Sequence, residues 1–328
     1  MEQNQEPINN PYQNNKSPLA PVALMVAMAV ILGLAALILP IIGIIASFLY
    51  SLPFAIIVFR YNLRWGVIAL LATTVILALL LNPLAAGLLT LQYGILGLFF
   101  GQCFRSRIKP LRILVLGVII AALLFLATLL ISAAMAGVSL DQFYAHYTQM
   151  AEKVIDSLIQ GRSFQGTSIE DYKAALTEQF MHMIPAVLVI YSMVLATLEY
   201  FILVKITRRL QHDILPLPPF EGWRLTWQLV WVLIIVIIFN ALSKIFDWST
   251  VLQITSNIIY VYYPILVVCG LSLVYWMWKR FKNNSTRAIF MIVAILFMAY
   301  FVYLLMIIAV IDPIFDLRNK LKPLLEKE

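Results

Sequence analysis

Long uncharged apolar runs alternate along the chain with short clusters of Lys and Arg, a pattern that predicts an all-α polytopic transmembrane helical bundle. Nine spans are expected, at about 20–39, 42–59, 65–81, 84–103, 111–136, 183–204, 225–243, 254–278 and 288–311. The clusters are Arg60 with Arg64; Arg105, Arg107, Lys109 and Arg112; Lys205, Arg208, Arg209 and Arg224; and Lys279, Arg280, Lys282 and Arg287. Two apolar runs separate each cluster from the next, so all four share one face, which the positive-inside rule makes cytoplasmic. Counting from a cytoplasmic N-terminus, nine crossings leave the C-terminus outside. Arg318, Lys320 and Lys322 are unfavourable there, although Asp312, Asp316, Glu326 and Glu328 offset them locally. Leu39-Pro40 and Asn82-Pro83 mark short turns on the opposite face.

Residues 137–182 break the pattern as the one substantial polar segment, with six carboxylates (Asp141, Glu152, Asp156, Glu170, Asp171, Glu178) against three bases (Lys153, Arg162, Lys173). Ser139 and Gln142 have capping-box spacing, and Leu140, Phe143, Tyr147, Met150, Val154 and Leu158 then recur at helical intervals. Thr167 with Glu170 opens a second helix with an apolar face of Ile169, Tyr172, Leu176 and Phe180, and Gly161 to Gly166 turns the chain between them. A helical hairpin on the outer membrane surface, or capping the bundle, is expected.

Composition removes several function classes. With 62% hydrophobic and 12% charged residues, a chain of 328 residues has too little polar surface for a soluble globular domain. The formal charge of +7 does not point to nucleic acid, because 14 of the 23 Lys and Arg residues lie in the four clusters, beside anionic headgroups. Cys103 and Cys269 sit in apolar runs without a CxxC pair, and His146, His182 and His212 fall in separate loops. No metal site, cofactor or general base is expected from these, and no GxSxG, P-loop or HExxH motif signals an enzyme. The first 18 residues, rich in Asn, Gln and Pro, are expected to form a disordered cytoplasmic tail rather than a signal peptide.

Within the spans, small residues form the clearest pattern. Ala23 with Ala27, Ala29 with Gly33, and Gly97 with Gly101 have small-xxx-small spacing, which serves internal packing or receives a helix of another membrane protein. Glu199 is the one carboxylate inside a span and is expected to snorkel toward Arg208 or Arg209. Asn240, Ser243, Lys244 and Asp247 share a helical face, read either as a local Lys244–Asp247 ion pair or as an outward binding face. Tyr50, Gln92, Tyr93, Tyr191 and Ser192 place hydrogen-bonding groups at middle or outer depth and are the candidate substrate-binding set.

The order Pro40, then SLPFAIIVFRYNLRWGVIALLA, then Asn82-Pro83, then LQYGILGLFFGQCFRSR resembles the uncharacterised bacterial multipass family typified by YybS. IDPIFDLRNK at 311–320 is similar to that family's C-terminal signature, and the resemblance covers nearly the whole chain. The family in turn resembles the substrate-binding S components of energy-coupling-factor transporters. That resemblance implies a six-span core over 19–136 and 183–207, a tail at 1–18, an insertion at 137–182, three further spans over 208–312 and a polar tail at 313–328. It also implies Ala23 and Ala27 as a partner-facing stripe, a small-molecule pocket in the outer half, and a membrane coupling subunit with separate ATPases. The long insertion and the three further spans depart from the S-component plan. The expected function is therefore a small-molecule-binding subunit of a transport system in a bacterial inner membrane. A structural or regulatory scaffold that recruits another protein is the alternative.

Overall fold

A computed structural model describes residues 18–159, 169–209, 217–281, 285, 287 and 298–325. The expected N-terminal tail, the Gly161–Gly166 turn, the Thr167 cap, His212 and the first part of the ninth span lie outside them, as do the side chains of Leu140, Phe143 and Leu158. Among the described residues every regular element is helical. Eight helices among the described residues are long and apolar enough to cross a membrane. They are α1 (Leu19–Ile38), α2 (Pro40–Arg60), α3 (Leu63–Leu80), α4 (Pro83–Arg105), α5 (Pro110–Met135), α8 (Ile184–Arg209), α9 (Trp227–Ile245) and α10 (Ser249–Arg280). The insertion forms α6 (Leu140–Ile159) and α7 (Ile169–His182), and α11 (Met298–Phe315) and α12 (Leu317–Leu325) are the last described helices.

The starts of these helices follow from local chemistry. Leu39 is extended, and Pro40 and Pro83 each occupy a first-turn position, where a missing N–H costs nothing. Asn62 Oδ1 accepts from Trp65 N at 3.0 Å, and Asn82 Oδ1 accepts from Leu84 N at 2.8 Å, so each asparagine satisfies orphan donors of the helix it opens. Large apolar side chains point outward along the spans, with Leu79 82% and Ile41 79% exposed, a surface suited to lipid rather than water.

The described chain divides into two units, and the division falls inside α5 and α8. In the first unit (18–124 and 196–209), α2 packs against α1, α3 and α4 around Tyr50, Phe54, Ile57 and Leu77. Gly97 and Gly101 let α4 lie directly on α2: a Cβ at Gly101 would stand 2.6 Å from Ala55 O, and one at Gly97 would collide with Ser51 O. Gly117 does the same beneath Phe100, whose ring meets Tyr200 at a 6.3 Å centroid distance.

The second unit (125–159, 169–195 and the described residues from 217 onward) holds the hairpin, α9, α10 and the C-terminal helices. The capping box forms in both directions, with Gln142 N donating to Ser139 Oγ at 3.2 Å and Ser139 N to Gln142 Oε1 at 3.0 Å. Helix α6 packs on α7, and Lys173 meets Asp156 at 2.9 Å between them. The faces differ from the expected stripes. Ala151, Ile155, Thr177 and Met181 are buried, while Met150, Val154, Ile169, Tyr172 and Phe180 remain exposed.

The C-terminus is a second departure. The apolar helix α11 runs to Phe315, and residues 288–297, the first part of the expected ninth span, lie outside the described residues. Beyond it, Asp316 meets Arg224 at 3.3 Å, and Arg318 donates to the carbonyls of Glu221 and Trp223 and to Ser272 Oγ. Those partners sit where α9 begins and toward the Lys279 end of α10. The tail therefore lies on the same end as the basic residues Arg224 and Lys279, not on the opposite face that nine crossings require.

Candidate functional site

Tyr50, midway along α2, is fully buried, and its hydroxyl shares a 3.1 Å hydrogen bond with Thr90 Oγ1. Thr90 Oγ1 also meets Thr74 Oγ1 at 2.8 Å, and Thr74 donates to Leu70 O at 2.8 Å, so three helices are tied by one chain of hydroxyls. Thr90 opens a π-turn over Thr90–Gly94 that interrupts α4. The extra residue in that turn re-aims Gln92, which is buried, and Tyr93, whose ring stands 6.0 Å from Phe48 in an edge contact. Hydroxyl and amide groups at a π-turn within a tightly packed bundle can orient a small polar molecule by hydrogen bonds once it displaces their mutual ones. Thr74 was not among the expected residues; its position one turn beyond Leu70 on α3 gave no signal without the fold.

Of the expected binding set, Tyr50, Gln92 and Tyr93 belong to this first unit. Tyr191 and Ser192 belong to the second unit, where Tyr191 packs its ring 4.7 Å from that of Phe125 and Ser192 Oγ bonds back to Leu188 O at 2.9 Å. The small-residue stripe also splits. Ala29 and Gly33 are buried, with Gly33 against Leu77 and Tyr50, whereas Ala23 and Ala27 are exposed.

Glu199 does not snorkel. It is 0% exposed, and neither carboxylate oxygen has a partner among the described residues. Because α8 stays helical through Arg209, Arg208 lies nine residues on, about 13.5 Å along the axis and beyond the reach of a glutamate. The Asn240 face is likewise turned inward: Asn240 Nδ2 donates to Thr255 Oγ1 at 2.9 Å and Ser256 Oγ at 3.0 Å, locking α9 to α10. Lys244 and Asp247 form no ion pair, since α9 ends at Ile245 and Asp247 turns left-handed at φ 54°, which breaks the helical register between them.

The most elaborate polar cluster joins Arg318 of the expected 313–328 tail to residues of the expected 208–312 segment. Arg318 Nε bonds Asp312 Oδ2 at 2.9 Å, with both side chains buried, while its other nitrogens hold the loop carbonyls and Ser272. Nearby Lys279 bonds Glu221 at 2.9 Å and holds its carboxyl below the usual range. The signal was present as Asp312 and Asp316 ahead of Arg318 at the end of a long apolar run. This cluster fastens a loop and the chain end to α10.

A family model described as a predicted membrane protein (DUF2232) matches residues 27–313. The chain is also similar to the protein from Bacillus subtilis (strain 168) described as uncharacterized protein YybS, at 22% identity over 304 residues, which is 92% of this chain and 97% of that protein. No solved structure matches. The matched region takes in every candidate crossing beyond the first turns of α1, and the chain belongs to the DUF2232 family of predicted membrane proteins.

Proposed function

We propose that this integral membrane protein is a small-molecule-binding subunit of a transport system, resembling energy-coupling-factor S components and acting by binding rather than catalysis. The N-terminus is cytoplasmic in this reading, and the bilayer is a bacterial inner membrane. One observation carries it: the Tyr50–Thr90–Thr74 hydroxyl chain beside the π-turn at Thr90–Gly94 sits in the helical core of the first unit, with Gln92 buried alongside. Uptake would need a membrane coupling subunit with separate ATPases, for which the exposed Ala23 and Ala27 offer a close-packing surface. Native mass spectrometry of gently extracted full-length protein tests this. A metabolite-sized adduct that Thr90→Val removes supports the reading. Adduct-free protein held by a stable non-transport partner contradicts it.

A structural or regulatory scaffold is the second reading, favoured by the exposed apolar faces of the hairpin at Met150, Val154, Ile169 and Phe180. In that case replacing Met150 and Val154 by Ser releases the partner, and Thr90→Val does not.

A further inference from the structure

An open pocket of about 430 Å³ lies at the basic end of the first unit, lined by Asn62, Leu63, Gln102 and the exposed Arg64 and Arg105. Every polar side chain in that lining can donate hydrogen bonds, and two are arginines. Arg105 is fixed in place because Nη1 donates to the carbonyls of Tyr61 and, at 3.4 Å, Val58, which closes the C-terminal end of α2. Its Nε and Nη2 have no acceptor among the described residues. Asn62 Oδ1 is spent on Trp65 N, which leaves its amide NH₂ as the free group, and Gln102 Nε2 reaches Ser106 Oγ at a long 3.3 Å. The first-turn N–H groups of Leu63 and Arg64 have no intrahelical acceptor and add to the positive potential.

Counter-charge is missing nearby in sequence. Between Glu6 and Asp141 the chain has no Asp or Glu, while Arg60, Arg64, Arg105, Arg107, Lys109 and Arg112 all fall in that stretch. Glu199, the carboxylate that the first unit draws from α8, is buried within a span.

From these we infer that the pocket is a binding site for a phosphate group, held between Arg64 and Arg105 with Gln102 and Asn62 as neutral donors. Two guanidinium forks suit the tetrahedral oxygens of phosphate, and the volume leaves room for a substituent on it. The site lies where α3 begins and α4 ends, the depth of a lipid headgroup, so a phospholipid and a free phosphate are the two sources of that chemistry. The inference does not depend on the transport reading.

Native mass spectrometry of the full chain in detergent tests it with dioleoylphosphatidylglycerol, dioleoylphosphatidylcholine and inorganic phosphate as probes. Phosphatidylglycerol retention is expected to fall about tenfold in Arg64→Gln, as loss of a charge-assisted contact implies, and to fall in Gln102→Leu, yet to hold in Arg112→Gln, a neighbouring charge outside the lining. Displacement of the lipid by millimolar inorganic phosphate assigns the site to free phosphate, and resistance assigns it to the headgroup. Equal losses in Arg64→Gln and Arg112→Gln, or no loss in Arg64→Gln, would overturn the site, since attraction would then be diffuse.

Discussion

Replacing Arg318 by Met removes the cation from the C-terminal cluster while keeping a side chain of similar length. Among the described residues, Asp312, with a side chain 2% exposed, then loses the one partner of its Oδ2, and its Oδ1 already has none. Breaking a buried pair by deleting one member costs about 3–5 kcal/mol, because the other charge stays desolvated. An exposed pair would cost at most about 1 kcal/mol. The double variant Asp312→Leu with Arg318→Met removes both charges and should recover most of that loss. The assay is reversible unfolding of full-length protein in mixed micelles, followed by tryptophan fluorescence with increasing denaturing detergent. A single-variant loss below about 1 kcal/mol, or a double variant as unstable as the single one, would refute the buried lock.

Two further outcomes follow from the same geometry. Ala29 is buried whereas Ala27 is exposed, so Ala29→Leu should lower thermal stability and yield, by roughly 1–3 kcal/mol of overpacking, while Ala27→Leu leaves both unchanged. Thermal stability of the two purified variants decides this, and a destabilised Ala27→Leu would contradict the assigned face. The Lys279 hydrogen bond depresses the folded-state carboxyl of Glu221, so the stability it contributes is present above the ordinary carboxylate range and is lost as pH falls through the depressed value. Stability measured across that acid range should decline in the wild type and decline less steeply in Glu221→Gln; identical curves would exclude the contribution.

Hydropathy located the spans because each must be apolar for its full length, and Asn82 and Ser139 are local signals that short-range chemistry enforces. What the sequence left open are features set by packing. The hairpin buries Ala151, Ile155, Thr177 and Met181 and leaves Met150, Val154, Ile169, Tyr172 and Phe180 exposed, a choice of face that helical periodicity alone does not fix. The hydroxyl chain joins residues 50, 74 and 90, whose meeting depends on how α2, α3 and α4 cross. Glu199 lies too many turns from Arg208 for charge matching to predict its burial, and the partners of Arg318 at 221, 223 and 272 are too distant along the chain for local pattern to join them.

The threading of the second unit is the point on which the account rests, and cysteine accessibility measures it most directly. With Cys103 and Cys269 replaced by Ala, single substitutions Lys279→Cys, Lys320→Cys and Asp247→Cys are labelled in intact cells by a membrane-impermeant maleimide. Lys279 closes α10, Asp247 lies in the turn between α9 and α10, and Lys320 lies in α12 beyond the Arg224–Asp316 pair. The account predicts that positions 279 and 320 behave alike and that position 247 behaves oppositely. Labelling of position 320 together with 247, and not with 279, would contradict it.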